Sequence, residues 1–201
     1  MQGEADAVLR EALDCYEDGA IQEDDLSVLG LALEQLHHAV TDRRLTLGTP
    51  AAGVLVMLDQ VTDPQNVGAI FRTAAAFGAR GVIVQDRHAP AFTGALAKAA
   101  AGALDITPHA RVVNLARALD DLDGLGWRAV GLAGDAAEPL DQVLDDRPTV
   151  LVLVSEGEGL RRLVGEHCDA LARIAMPGGF DSLNVAAAAA VALYEATRPR
   201  H

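Results

Sequence analysis

Aromatic side chains are scarce in this sequence: tryptophan, tyrosine and phenylalanine together make up 3% of its 201 residues. Half of the chain is nonetheless hydrophobic, so Ala, Val and Leu must fill most of its core. No stretch of about 18 apolar residues is free of charge, which argues against a membrane span. The opening, Met1-Gln2-Gly3-Glu4, is acidic and polar and lacks the basic, apolar pattern of a secretory signal. A soluble, cytoplasmic protein is expected. Cysteine is nearly absent too. Cys15 and Cys168 stand far apart, with no second Cys and no clustered His beside either. That gives neither a disulfide framework nor a metal signature, and leaves two reduced thiols.

Lysine occurs once, at Lys98, so the positive charge is carried almost wholly by arginine. The arginine fork suits phosphate, although a compositional bias of the genome accounts for it equally well. The net charge of −13 is awkward for a nucleic-acid binder, which gains from basic surface. The acidity is uneven. Residues 1–50 hold eleven acids against Arg10, Arg43 and Arg44, whereas the rest of the chain holds eighteen acids and thirteen bases.

What is present is a helical opening followed by strands alternating with helices. Asp6–Tyr16 has helix-forming composition, and Leu26, Leu29, Leu33, Leu36 and Val40 recur at steps of three and four, an apolar stripe on one helix. Gly48-Thr49-Pro50 marks a boundary, so residues 1–50 are expected as an acidic helical extension and residues 51–201 as the main domain. There the strands are Val54–Leu58, Gly81–Val84, Arg128–Leu132, Thr149–Val154 and Ala172–Ala175. The helices are Val67–Phe77, Ala95–Ala101, Asn114–Leu122 with Asn114 as N-cap, Leu160–Leu171 and Ser182–Thr197. Such alternation implies an α/β domain with a mostly parallel sheet buried on both faces.

Three segments carry the chemistry. In the first, Leu58-Asp59-Gln60-Val61-Thr62-Asp63-Pro64-Gln65-Asn66-Val67-Gly68-Ala69-Ile70-Phe71-Arg72, a strand runs into a polar turn. A helix follows with Asn66 at its mouth and Arg72 further in. Ligands of open α/β sheets bind at the carboxyl ends of strands, and helix N-termini attract anions, so Arg72 is placed to face a phosphate. The second, Val150–Leu160, ends a buried strand in Ser155-Glu156-Gly157-Glu158-Gly159, where glycine permits close approach of backbone to a ligand. It has neither the G-x-G-x-x-G spacing nor a Gly-Lys-Ser/Thr. The third, Ile174-Ala175-Met176-Pro177-Gly178-Gly179-Phe180-Asp181-Ser182-Leu183-Asn184-Val185, is a Gly-rich turn in which Ser182 or Asp181 caps the last helix. Singly, each also reads as an ordinary turn or cap.

Together and in this order, the three resemble the motifs of the SpoU/TrmH RNA methyltransferases of the SPOUT superfamily, over about residues 54–197. The stretches Lys98–Ala103, Val113–Ala116 and Gly165-Glu166-His167-Cys168-Asp169 extend the likeness toward the bacterial guanosine 2′-O-methyltransferases of large-subunit rRNA, the RlmB-like group. The resemblance implies an α/β domain with a C-terminal deep trefoil knot, S-adenosylmethionine as cofactor, and a homodimer whose subunits share the active site. It implies RNA as substrate, rRNA rather than tRNA, with no metal and no membrane. Val154, Gly157, Ile174, Met176 and Leu183 would contact the cofactor. Asn66, Glu156, Ser182 and Asn184 would line the site, and Arg72 would assist deprotonation of the ribose 2′-hydroxyl.

The chain departs from the family pattern at Val154, where Gly is usual, at Ala175, where Pro is usual, and at Ala186, often Ser. A Val is costly only where the backbone needs positive φ or close approach. The RlmB-like group commonly carries a separate RNA-binding domain, which residues 1–50 are too short and too acidic to be. A second expectation therefore stands beside the enzyme: a dimeric RNA- or ribosome-binding homologue whose cofactor pocket has decayed. Val154 and the acidity favour it, while retention of Asn66, Arg72, Glu156, Ser182 and Asn184 counts against it. A third is a methyltransferase acting on a small molecule or a protein.

Overall fold

The computed structural model describes residues 52–92, 94–155, 159–179 and 182–199. The expected helices within residues 1–50 lie outside these, as do Glu156 and Gly157. Six strands form one sheet: β1 (Val54–Asp59), β2 (Gly81–Gln85), β3 (His109–Val112), β4 (Arg128–Leu132), β5 (Thr149–Val154) and β6 (Ala170–Ala172). Their order is β3-β2-β1-β5-β4-β6, and every pairing between them is parallel. The helices are α1 (Pro64–Ala76), α2 (Ala95–Ala100), α3 (Ala103–Ile106), α4 (Leu115–Asp123), α5 (Leu140–Val143), α6 (Arg162–Glu166) and α7 (Val185–Thr197).

The near-continuous apolar strands are explained by two cores, one on each face of the sheet. Because side chains alternate along a strand, Val54, Val56 and Leu58 enter one core with Leu151, Leu153 and the buried sides of α1, α2 and α7. Leu55, Met57, Val150 and Val152 enter the other, beneath Leu115, Leu119 and Leu122 of α4 and Val164 of α6. Scarce aromatics sit where one large group closes a gap: Phe71 is fully buried on the first face, and Trp127 on the second is nearly so. Gly68 lets α1 and α2 approach closely, since a Cβ there would lie 2.6 Å from the Ala99 Cβ and 2.7 Å from the Leu96 carbonyl oxygen.

Helix starts follow their caps. The Asp63 carboxylate accepts from the backbone amides of Gln65 (3.1 Å) and Asn66 (3.3 Å), and Pro64 opens the first turn, so α1 begins before Val67. Asn114 caps α4 as expected, accepting from the Arg117 amide at 3.3 Å. The last helix is capped by Asn184, which accepts from the Ala186 amide at 3.0 Å, and not by Ser182; α7 accordingly starts at Val185.

Elsewhere the chain differs from expectation. The helix expected over 160–171 is only α6, because the Asp169 carboxylate accepts from the Ala129 amide at 2.7 Å and draws the chain back beside β4. The next strand is therefore Ala170–Ala172 rather than 172–175. The helix expected over 95–101 is present as α2, ending one residue earlier because Ala101 and Gly102 are left-handed (φ 49° and 84°), and the separate α3 follows. Strand β3 and the short α3 and α5 were not expected, being too brief to carry a period.

Candidate functional site

Parallel strands end together, so the loops after β1, β4, β5 and β6 meet along one edge. In this strand order the chain leaves β1 toward β2 and leaves β5 toward β6, so the turns from these adjacent strands diverge and open a crevice between them. A cavity of about 680 Å³ lies at this edge, beyond β4, β5 and β6. That size suits a small organic ligand. Leu132, Leu153, Leu160 and Leu171 supply apolar wall, while Asp135, Arg162 and Glu166 bring charge. Arg162 and Glu166 pair with each other at 2.7 Å across one helical turn, which leaves the Asp135 carboxylate as the uncompensated charge among the described lining residues. It can hold a ligand with apolar parts and a positive centre.

Of the residues singled out in the sequence, Val154, Ile174, Met176, Ser182 and Leu183 line this cavity. Asn66 and Asn184 do not line it but meet each other: the Asn184 side-chain amide donates to the Asn66 carbonyl oxygen at 3.1 Å, across 118 residues of chain. The first and third motifs are thereby joined. Arg72 is brought to neither. It stands exposed on α1, six residues past Asn66, which turns it about a third of a revolution away on a regular helix. Glu156 and Gly157 are outside the described residues.

Val154 ends β5 as an ordinary strand residue in register with Asp59. Among the described residues the only non-glycine positions with positive φ are Gln60 and Ala101. Positive φ therefore gives no reason for glycine at 154, and Val154 forms part of the cavity wall. Cys168 packs behind that wall. Burial first, then the charges of Asp169 and Asp59, push its thiol up to about 12, and it donates to the Val164 carbonyl at 3.3 Å. It is a packing group, not a nucleophile.

Sequence reasoning missed a charged cluster beside the cavity. Asp59, the last residue of β1, is fully buried, and its carboxylate accepts from the Arg161 guanidinium Nε at 2.7 Å and the Arg161 amide at 3.2 Å. The same guanidinium donates to Gln85 at the end of β2 at 2.9 Å. An acid closing an apolar strand was the available signal, since a buried carboxylate demands a partner. Nothing local pointed to Arg161, which is 102 residues away.

The family model described as the SpoU rRNA methylase family matches residues 53–194. The chain is 46% identical over 147 residues to the 23S rRNA (guanosine-2′-O-)-methyltransferase RlmB of Pseudomonas syringae pv. tomato, covering 73% of this chain and 59% of that protein. It is 46% identical over 149 residues to an uncharacterized tRNA/rRNA methyltransferase of Synechocystis, covering 74% of this chain and 39% of that one. It thus spans only part of the length of these curated relatives. Among solved structures it resembles the AdoMet-bound rRNA methyltransferase of Sinorhizobium meliloti (TM-score 0.69, 31% identity, 76% of this chain and 58% of that one). It also resembles the SpoU methyltransferase AviRb of Streptomyces viridochromogenes in complex with AdoMet (TM-score 0.66, 31% identity, 74% of this chain and 59% of that one).

Proposed function

This chain belongs to the SpoU rRNA methylase family, and on that premise we propose that it methylates ribose 2′-hydroxyls of RNA, rRNA in particular, from S-adenosylmethionine. The observation that carries the proposal is the cavity whose wall includes Val154, Ile174, Met176 and Leu183, which the resemblance assigns to the cofactor, together with Ser182, which it assigns to the lining of the reacting site. The cavity fits that cofactor: it has apolar wall for an adenosine and a methionine stem, and Asp135 for a positive centre. When bound, the cofactor supplies a methyl group on a sulfonium.

The backbone around Val154, Gly157, Ile174, Met176 and Leu183 would hold it. Ser182 and Glu156 would line the reacting end. The Asn66–Asn184 hydrogen bond would fix the mouth of α1 against the start of α7, so that the hydroxyl meets the methyl in line. Arg72 would stabilise charge developing on the 2′-oxygen and steer the departing proton away. Because Arg72 is not among the residues lining the cavity of its own chain, we propose that a second copy supplies it, in a homodimer.

The same reading assigns residues 51–201 to the methyltransferase domain and 1–50 to an extension, gives the C-terminal part a trefoil knot, and places the protein in the cytoplasm. Among the described residues no helix is long and apolar enough to cross a membrane. The decayed-pocket alternative is not favoured, because Val154 sits at ordinary strand geometry beside a sizeable cavity.

The test is transfer of labelled methyl from S-adenosylmethionine to unmodified bulk rRNA and tRNA, followed by digestion to nucleosides. Label on 2′-O-methyl nucleosides of rRNA supports the proposal. Cofactor binding without label in RNA, or label on a base, contradicts it.

A further inference from the structure

The segment between β5 and α6 leaves the sheet and returns to it at one residue. It leaves from Val154, the register partner of Asp59. It returns at Arg161, whose amide and guanidinium both donate to the Asp59 carboxylate. Asp59 is fully buried, and the Arg161 side chain is about one-third exposed. The pair is therefore shielded on the acid side and cannot be exchanged for water without stranding a buried charge. Arg161 reaches further, to the Gln85 carbonyl oxygen at 2.9 Å, so three elements are tied: β1, β2 and the start of α6. Its neighbours Gly159, Leu160 and Arg162 all line the cavity, whereas Arg161 does not. The side chain thus serves Asp59 and Gln85 at the sheet edge, while the residues on either side of it face the ligand space.

We infer that Arg161 is a positioning residue: by gripping Asp59 and Gln85 it holds the Gly159–Arg162 wall of the cavity at the spacing the cofactor needs. The inference rests on the reading of the cavity as the S-adenosylmethionine site. The planar fork is essential, because one guanidinium serves a carboxylate and an amide oxygen on two strands at once. A lysine can meet Asp59 but cannot reach both with fixed geometry.

The test uses Arg161→Lys and Gln85→Leu in the full chain, since Arg161→Ala would strand Asp59 and unfold the edge. Three quantities are read: the Kd for S-adenosylmethionine by calorimetry, Tm, and amide hydrogen exchange at residues 160–162. Losing one charge-assisted hydrogen bond from the grip is expected to weaken cofactor binding roughly tenfold. The loss should lie in the KM for cofactor, with kcat at saturating cofactor near wild type, and with faster exchange confined to 160–162. Unchanged Kd in both variants, or a Kd loss that merely tracks a global fall in Tm, overturns the inference. Should the wild type itself bind no S-adenosylmethionine, the reading of the cavity fails separately. The grip is then judged on exchange alone: faster local exchange in both variants supports it, and unchanged exchange overturns it.

Discussion

The two halves of the sheet's carboxyl edge offer different things. Beyond β4, β5 and β6 lies a cavity of about 680 Å³ with leucine walls and, among its described lining residues, one unpaired acid, a socket for a ligand. Beyond β1, the helix α1 presents Asn66 at its mouth and an exposed Arg72 on another side, a surface for a substrate. One hydrogen bond, Asn184 to Asn66, bridges the halves. The difference teaches that a single chain keeps the cavity and the exposed Arg72 apart, as the proposed site completed by a second copy would require.

The sharpest way to separate the halves is Arg72→Ala. Removing a group that stabilises transition-state charge should lower methyl transfer at least about 100-fold. Affinity for S-adenosylmethionine, measured by calorimetry, should stay near wild type. Loss of cofactor affinity in this variant would place Arg72 in the socket and erase the distinction.

Below the edge, the halves share one body, and damage there should not discriminate between them. Leu151, fully buried in the middle of β5, packs with β1, α1 and α7. Leu151→Ala should cost about 2–5 kcal/mol in denaturant unfolding. A smaller, more selective change targets the bridge. Asn184→Asp keeps the acceptor that caps α7 but cannot donate to Asn66, so Tm should hold while methyl transfer falls. Asn184→Ala should cost about 1 kcal/mol as well, from the lost cap. Unchanged methyl transfer in Asn184→Asp would mean that the bridge has no role in the site, and equal Tm losses in the two variants would mean that the bridge and not the cap carries the stability.

The smallest effect is expected far from the edge, at Asp145. Hydrogen bonding from Arg147 holds its carboxyl at about 2, below the usual 3.8. A depressed carboxyl stabilises the fold above its ordinary value and loses that contribution as pH falls through the folded one. Asp145→Asn should thus flatten the stability loss between pH 3.8 and about 2 and leave cofactor affinity untouched. The pair is largely solvent-exposed, so the change at neutral pH should be slight.

The body of the sheet was legible in the sequence because its signal is local. Val54–Leu58 and Thr149–Val154 are short apolar runs, the second rich in β-branched residues, that read as strands buried on both faces, and alternation assigns each residue to a core. The cavity residues were legible for a different reason: Ile174, Met176 and Leu183 carry a motif resemblance, and all three line the cavity. What stayed hidden depends on distant partners. The end of α6 is set by Asp169 bonding to Ala129, the start of α7 by Asn184, and the buried Asp59 by Arg161. No periodicity reports a hydrogen bond spanning 102 or 118 residues.

The most direct test of the shared site is subunit complementation. Gly165 lines the cavity, and a Cβ there meets nothing within 4 Å, so Gly165→Trp is expected to obstruct the socket, with an unchanged Tm as the check that the fold is kept. Mixed with Arg72→Ala under conditions of subunit exchange, each inactive parent supplies what the other lacks. Random pairing gives half heterodimers with one intact composite site each, so methyl transfer to rRNA should return to about a quarter of wild type. Activity no greater than that of the separate parents would contradict a site built from one copy's cavity and the other's Arg72.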